Sequence, residues 1–490
     1  MKRRTFCQAT LGTAALGTPM AQLIAAGKPA AADISAVKLS GQSTTLERKA
    51  LDELARSLHG KLILAEDAGY DDARRVWNRM IDKRPALIVQ CADTADVSHA
   101  VTFARERELL LAVRGGGHSF PGLSTCDGGM VLDVSPMRSV SVDAKGRRVV
   151  AAAGLWGGHV DGETQQHDLA TVLGQISDTG IAGLTLGGGF GWLSRQFGLA
   201  CDNLISVEVV TADGKLRRAS SDENADLFWG LRGGGGNFGV ATSFEYRLHP
   251  VSQEVIAGTI QWPIADAPAV LDSYREFIAT GPRELSLDLG VWRTKDHGKV
   301  IGIDACLAGN REAGMKALDA LRRVGKPHKD ILEPMKYVDV QRQYDDGNRS
   351  ATLHYVKGGF LREITPAFVE FLARDFEPTA DMQLFMQNAS GAVGDTAPGD
   401  TAFWNRKCVA NLMLFREWKD PAETERNRAA VRALWEKVEP FTSGYYVNLS
   451  DAAKNTVSAN YGANYPRLVK LKQKYDPTNL FRLNSNIPPA

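Results

Sequence analysis

Short apolar runs separated by glycine-rich or polar turns dominate residues 85–250. Their lengths and β-branched content predict strands. Thr94 begins a segment with Val97, Val101 and Ala104 on one face, which predicts a helix between the first two strands. A strand–helix–strand order leading into a glycine run is typical of a phosphate-binding α/β segment. The predicted strands are 85–90, 109–114, 130–133, 149–154, 204–211 and 240–248.

A different pattern follows from residue 251 to about residue 455, where glycine clusters are missing from the sequence. Apolar strand patterns at 285–292, 300–306, 382–387 and 409–415 alternate with helical patterns. This alternation predicts an antiparallel sheet backed by helices. The helical patterns are 312–324 and 421–438 here, 43–58 near the start of the chain, with Leu46, Leu51, Leu54 and Leu58 on one face, and a last one beginning near Tyr461.

Composition and charge narrow the class of protein. The 490 residues exceed what one core can serve, so we expect two domains. A hydrophobic fraction of 44% and a charged fraction of 23% are those of a soluble globular protein. The net charge of +1 gives no electrostatic reason to expect nucleic acid or an anionic membrane as a partner. The six cysteines show no CxxC spacing and are interpreted as isolated thiols.

The first 32 residues form a segment of their own. Lys2-Arg3-Arg4-Thr5-Phe6 precedes a weakly apolar stretch, and small residues follow at 29–32. This order is similar to a bacterial twin-arginine export signal, so we expect an exported protein, periplasmic or secreted. Gly12, Gly17 and Pro19 interrupt the apolar stretch, so no membrane span is expected in the mature protein. A disordered basic tail is the alternative interpretation.

Three glycine tracts carry the candidate chemistry: 114–119, 174–191 and 233–239. Adjacent glycines expose backbone N–H groups and let a phosphate approach closely. Each tract alone could be a structural turn, but three tracts beside strands favour a long phosphate-bearing ligand. The first tract lacks the GxGxxG form of a Rossmann site, and no Gly-Lys-Ser/Thr follows it. The sequence also lacks a Gly-x-Ser-x-Gly elbow and a His-Glu-x-x-His pair, so neither a serine hydrolase nor a metal site is expected.

Two of these tracts and the last residues of the chain resemble a known family. Arg114-Gly115-Gly116-Gly117-His118-Ser119, with residues 179–189, resembles the flavin-binding loops of the vanillyl-alcohol oxidase/p-cresol methylhydroxylase (PCMH) superfamily. Residues 460–468, 474–481 and 484–487 are similar to the C-terminal signature of its berberine-bridge-enzyme-like FAD-linked oxidases. The resemblance implies an α+β fold. A PCMH-type FAD-binding domain would cover 33–252, a substrate domain with an antiparallel sheet backed by helices would cover 253–455, and residues 456–490 would return to the FAD domain.

The resemblance also implies how FAD is held. His118 occupies the place of the family's covalent attachment to the flavin, whereas a hydrogen bond from its imidazole to phosphate is the alternative. Many members make a second attachment through cysteine, but Ile176 stands at that place, so we expect a single covalent bond. The residues that the resemblance implies for cofactor binding are Arg114, Gly115, Gly116, Gly117, His118, Ser119, Ser177, Thr179, Gly183, Gly187, Gly188, Gly239, Val240 and Asn486.

Catalysis in the family is oxidation of a small-molecule substrate by hydride transfer to flavin. Tyr446 and Asn448 match its Tyr-x-Asn segment, which implies that Tyr446 acts as the base and that Asn448 orients a neighbour. The alternative for Tyr446 is a packed strand aromatic. We expect an alcohol, sugar or secondary-metabolite substrate and dioxygen as the electron acceptor. The alternatives are a dehydrogenase that uses another acceptor and an inactive binding protein.

Overall fold

The computed structural model describes residues 32–345, 352–449 and 457–490. The predicted export signal lies outside these ranges except for Ala32, and so does the predicted domain boundary between residues 455 and 456. Within the described ranges, none of the helices combines the length and the apolar character that a bilayer crossing requires.

A small mixed sheet delivers the chain into the first glycine tract. Its strands lie in the order 61–64, 87–90, 130–133 and 111–114, and the last three are parallel. The 87–90 and 130–133 strands are buried because neighbouring elements cover both faces of the sheet, as parallel strands require. Helices 48–57 and 94–106 pack beside this sheet, and helix 70–73 lies at its edge.

Residues 43–58 do not form the single helix that the spacing predicts. Ser43–Leu46 is a strand that pairs with Ile34–Val37, and the helix begins only at Arg48. The pairing of Leu46 with Ile34 buries the leucine without helical geometry. Leu51 and Leu54 occupy the buried helix face as expected.

A second, antiparallel sheet carries the other two glycine tracts. Its strands lie in the order 216–220, 204–210, 240–247, 148–152 and 140–143. Helices 157–164, 181–186 and 225–231 and the strand pair 169–170/249–250 surround it. The predicted strand at 149–154 ends at Ala152, where the chain turns toward helix 157–164.

The last described residues complete the core of this part of the protein. Helix 457–461 brings Tyr461, helix 465–475 brings Leu468 and Leu471, and the segment after them brings Phe481 into the same apolar cluster as strand 240–247. The fully buried Lys472 ammonium binds Asp476 at 2.7 Å and donates to the carbonyls of Asn237 and Phe481. The third glycine tract is therefore fastened by residues more than 200 positions later in the chain.

A large antiparallel sheet forms the rest of the molecule and confirms the α+β class. Its strands lie in the order 329–330, 254–263, 298–307, 285–294, 382–388, 410–418, 353–361 and 442–443, with 333–336 also paired to 254–263. Helices 267–280, 311–322, 366–370 and 424–438 cover one face, where Tyr274, Leu318 and Trp435 are buried. The other face looks toward the glycine tracts. Helices 194–197 and 337–342 lie between the two parts.

Candidate active site

A cavity of about 730 Å³ lies between the glycine tracts and the open face of the large sheet. That volume is within the range of small-molecule sites. The cavity brings together most of the residues that the resemblance implies. They are Gly115, Gly116, Gly117, His118, Ser119, Thr179, Gly183, Gly239, Val240, Tyr446 and Asn448.

The first two glycine tracts touch backbone to backbone. A Cβ added to Gly116 would lie 2.5 Å from the Cα of Gly180, and one added to Gly180 would lie 2.5 Å from the Gly116 nitrogen. No side chain other than hydrogen fits this crossing without moving one of the loops. The glycines therefore set the spacing of the loops that line one wall of the cavity.

His118 lies in a stack of three rings. Trp77 stacks on His118 with ring centroids 4.9 Å apart and on His354 with centroids 4.2 Å apart. The Nε2 atom of His118 is 3.5 Å from the Oδ1 atom of the buried Asp178. A carboxylate near Nε2 favours the tautomer with its proton there and so places the basic lone pair on Nδ1.

His354 differs from His118 in its surroundings. Burial, with a smaller contribution from His118, lowers the pKa of His354 to about 4. The ring therefore stays neutral at physiological pH and hydrogen-bonds the Thr352 hydroxyl at 2.6 Å. Neither Trp77 nor His354 carries a sequence signal, because both reach His118 only through the fold.

Tyr446 is buried, and its hydroxyl is held from two sides. The Gly189 N–H donates to the phenol oxygen at 3.0 Å, and the Asn448 amide donates to it at 2.9 Å. The ring packs among Phe190, Phe360 and Phe403. Burial raises the pKa of Tyr446 well above its ordinary value, although the two donors act in the opposite direction. The phenol is therefore protonated at neutral pH.

The remaining predicted residues lie behind the cavity wall. Arg114 forms a buried ion pair with Asp133 at 2.5 Å, and the Ser177 hydroxyl donates to Asp345 at 2.6 Å. Gly187 makes room for the Asn448 amide, and Gly188 lies against Phe403 with a φ of +128°. Asn486 is just outside the lining, to which its neighbours Asn484 and Ser485 belong. These residues shape the wall rather than face the cavity.

The sheet side of the cavity holds residues that sequence reasoning missed. The ring of Trp292 crosses the paired residues Gly290 and Gly302, since a Cβ at Gly302 would lie 2.3 Å from the indole. Asp304 lies two residues after Gly302 on the same strand. It accepts hydrogen bonds from Thr259 at 2.5 Å and Tyr344 at 3.0 Å. Burial raises the pKa of Asp304. The alternation of side chains along the strands could have selected these positions had the strand pairing been known.

A chain of side-chain amides runs along the same wall. Asn411 and Gln387 line the cavity and bond to each other, and Gln387 bonds to Gln175 from the second glycine tract. Gln175 in turn bonds to the fully buried Asp288. Burial, with a smaller contribution from Asp304, raises the pKa of Asp288 to about 7 against the opposing effect of hydrogen bonds from the Asn388 N–H and the Gln175 amide.

The lining fits a flavin nucleotide. Gly183 faces the cavity with open space where a Cβ would stand, so a side chain there would occupy ligand volume. Ser124 and Ser485 line the cavity, and their buried hydroxyls have no hydrogen-bond partner among the described residues. Such groups need a polar ligand, because a buried hydroxyl without a partner costs about 1–3 kcal/mol.

A separate acidic cluster has a structural explanation. His59, Asp93 and Asp96 lie close together away from the cavity. Asp96 accepts hydrogen bonds from the N–H groups of His59, Gly60 and Ala92, and Asp93 caps helix 94–106. The carboxylates are therefore engaged in fixing local backbone.

Two family models match the chain. An FAD binding domain matches residues 85–220, and a domain described as berberine and berberine like matches residues 445–488. The first range contains the first two glycine tracts, and the second contains Tyr446 and Asn448.

Whole-chain relatives agree with these matches. An FAD-linked oxidoreductase of Dictyostelium discoideum is 31% identical, with 90% of this chain and 97% of that protein covered. The (R)-6-hydroxynicotine oxidase of Paenarthrobacter nicotinovorans is 30% identical, with 88% and 97% covered. The crystal structure of 6-hydroxy-D-nicotine oxidase from Arthrobacter nicotinovorans has a TM-score of 0.78 at 27% identity, with 89% and 99% covered.

Proposed function

Because the chain belongs to the berberine-bridge-enzyme-like family of FAD-linked oxidoreductases, we propose that it oxidises an alcohol, sugar or secondary-metabolite substrate with FAD bound covalently through His118. One observation carries the proposal. The glycine tracts and the polar face of the large sheet line one continuous cavity, with His118 on one side and Asn411 on the other. Cofactor and substrate would therefore meet inside it.

The chain's own residues would bind and orient the reactants. FAD supplies the hydride acceptor when it is bound. The glycine tracts would hold its diphosphate with backbone N–H groups, and Asp178 would set the tautomer of His118 for attachment. With Ile176 rather than a cysteine in the second tract, the attachment would be single.

Tyr446 would act as a hydrogen-bond donor. Gly189 and Asn448 already donate to the phenol oxygen, so its O–H remains to donate to a ligand in the cavity. A protonated phenol in a buried site stabilises charge that develops on an oxygen or nitrogen opposite it. We therefore propose that Tyr446 contacts the reacting atoms and that Asn448 positions it.

The sheet wall favours a ring-shaped substrate that carries hydrogen-bonding groups. Trp292 offers a flat indole, and Asp304, Gln261 and Gln383 surround it with polar atoms. Aromatic faces bind rings or cations, and carboxyl and amide groups bind hydroxyls or amines. Among the described lining residues, no lysine or arginine is present to neutralise an anionic substrate.

The visible spectrum of the purified protein tests the proposal. We expect a yellow protein that stays yellow after acid precipitation and bleaches under anaerobic conditions with one member of a panel of sugars, alcohols, amines and phenolic metabolites. Hydrogen peroxide released in air identifies dioxygen as the acceptor, which we propose, and its absence during turnover identifies a dehydrogenase. A colourless protein, or flavin that no panel member bleaches, contradicts the proposed oxidation.

The attachment itself is tested by His118→Ala. We expect acid to extract the flavin completely from this variant, because the nucleophilic imidazole is gone, and to extract none from the wild type. His354→Gln is the matched control, since His354 also stacks on Trp77, with ring centroids 4.2 Å apart. A flavin that remains bound to His118→Ala after acid treatment would place the covalent bond elsewhere.

Export is proposed from residues 1–32 alone. A reporter fused behind these residues should leave the cytoplasm of a host with twin-arginine transport, and replacing Arg3 and Arg4 with lysine should stop it. Export of the lysine variant at the wild-type level would reject this assignment.

A further inference from the structure

Cross-strand neighbours form a polar row on the open face of the large sheet. Asp304 pairs with Asp288, and Gln387 pairs with Asn411. The pairing of Leu289 with Met386 places Asp288 beside Gln387 and so joins the two pairs into one row. Within the row, Asp288 is a fully buried carboxyl group, and Asn411 at the end of the row is an amide that lines the cavity.

The hydrogen bonds along this wall all run, from donor to acceptor, toward Asp288. The Asn411 Nδ2 donates to the Gln387 Oε1 at 3.2 Å, and the Gln387 Nε2 donates to the Gln175 Oε1 at 2.6 Å. The Gln175 Nε2 then donates to the Asp288 Oδ2. An ionised carboxylate only accepts, so each amide turns its N–H₂ toward Asp288 and its oxygen toward the preceding donor.

The amides of Asn411, Gln387 and Gln175 thus form an amide relay that ends at Asp288. At its Asn411 end, no described residue donates a hydrogen bond to it. Asn411 is fully buried, and its Oδ1 accepts no hydrogen bond from any described residue. One of the two Nδ2 hydrogens is donated to Gln387, which fixes the orientation of the amide. A buried acceptor that stays unfilled is costly, so this oxygen is suited to a ligand that brings a donor.

We propose that the Oδ1 of Asn411 binds an O–H or N–H group of the substrate, and that Asp288 is a positioning residue that fixes this preference through Gln175 and Gln387. The cavity then discriminates against an analogue in which a methyl group replaces the hydrogen of the donor. The inference rests on the proposed function, since it assigns the sheet side of the same cavity to substrate.

The substitution Asp288→Asn tests the direction of the relay. The Asn388 N–H donates to the Asp288 Oδ1 at 2.8 Å, so an asparagine there keeps its oxygen at that position and turns its N–H₂ toward Gln175. Gln175 and Gln387 must then reverse, and Asn411 presents Nδ2 to the cavity. One isosteric change outside the lining thus converts the acceptor at the cavity wall into a donor.

Phenol and anisole are the probes, because they share a ring and differ in the presence of a donor. Binding is measured by calorimetry on the flavin-loaded protein at about pH 8.5, where Asp288 is ionised. We expect the wild type to bind phenol at least about 10-fold more tightly than anisole, and Asp288→Asn to abolish or invert that ratio. Asn411→Ala removes the acceptor at the cavity wall, so it should also abolish the difference between the affinities for phenol and anisole.

The matched control is Asp161→Asn. Asp161 is also a buried carboxyl group that accepts from a glutamine amide, Gln341, but it lies outside the cavity lining. This variant should keep the wild-type ratio. Equal affinities of the wild type for the two probes, or an unchanged ratio in Asp288→Asn, would overturn the proposal. Calorimetry does not depend on flavin bleaching, so failure of the proposed oxidation is recorded separately.

Discussion

At the scale of single residues, Tyr446 shows how burial selects between two chemical roles. A phenol acts as a base near neutral pH only when its pKa is depressed, for which a nearby cation is the usual means. Burial among phenylalanine rings has the opposite effect on the pKa of Tyr446. The hydrogen bonds from Gly189 and Asn448 fix the position of the oxygen without ionising it. We therefore expect Tyr446 to donate a hydrogen bond during turnover.

Tyr446→Phe should slow flavin reduction by about 100-fold while it changes substrate affinity much less, because the lost hydrogen bond would act chiefly in the transition state. Anaerobic stopped-flow measurements at several substrate concentrations separate the two effects. Tyr445→Phe is the control, since the neighbouring tyrosine bonds to Glu439 at 2.9 Å and is not part of the cavity lining. Equal reduction rates in wild type and Tyr446→Phe would remove the phenol from the mechanism.

The sequence alone identifies the site residues that stand together in one short motif. His118 and Gly115 to Gly117 stand together in one run, and Tyr446 and Asn448 share a short motif. Trp77, His354 and Asn411 have no such motif, since each becomes part of the site only when segments far apart in the chain come together in the fold. Tertiary pairing of this kind cannot be read from residue spacing.

At the scale of elements, the crossing of the first two glycine tracts determines whether a flavin site can form. Gly180→Ala should force the loops apart, because its methyl group would meet the Gly116 nitrogen at 2.5 Å. We expect purified Gly180→Ala to contain less than about a tenth of the wild-type flavin per protein, by the tenfold change that about 1.4 kcal/mol produces. Absorbance at the flavin band relative to 280 nm measures this ratio.

Gly162→Ala is the matched control for the loop crossing. Gly162 lies within helix 157–164 with open space around its Cβ position, so alanine there should stabilise the helix by about 0.5–1 kcal/mol. This variant should retain full flavin. Wild-type flavin content in Gly180→Ala would show that the two loops can separate without losing the site.

Elements with one unambiguous pattern are predicted well. The largely apolar strands 87–90 and 130–133 and the amphipathic helix 311–322 lie within three residues of their predicted bounds. The predicted helix at 43–58 is wrong at its start because Leu46 fits helical spacing and a strand pair equally well. The pairing with Ile34 makes it part of a strand. Sheet order in 254–443 was beyond prediction, since it depends on pairings between distant strands.

At the scale of the whole molecule, buried carboxyl groups link stability to pH. Burial raises the pKa of Asp161 to about 7, and its Oδ1 has no hydrogen-bond partner among the described residues. The folded protein therefore binds this proton more tightly than the unfolded chain does. The stability that results is fully present below the unfolded pKa of about 4 and is lost as pH rises through 7.

Asp161→Asn should remove this dependence. Relative to the wild type, the variant should gain roughly 2–3 kcal/mol of unfolding free energy between pH 5 and pH 8, because asparagine has no proton to lose. Denaturant titration at the two pH values measures the difference, and Asp71→Asn, at an exposed carboxyl group, is the control. Parallel pH profiles for wild type and Asp161→Asn would contradict the raised pKa of Asp161.

The bond between Lys472 and the Asn237 carbonyl has a consequence for the timing of biosynthesis. The 233–239 tract leaves the ribosome long before helix 465–475 is made, yet that helix supplies the buried ammonium group that binds the Asn237 carbonyl. Nascent chains that stop short of Lys472 should therefore be unable to mature. Acquisition of the prosthetic group would then report that translation had finished.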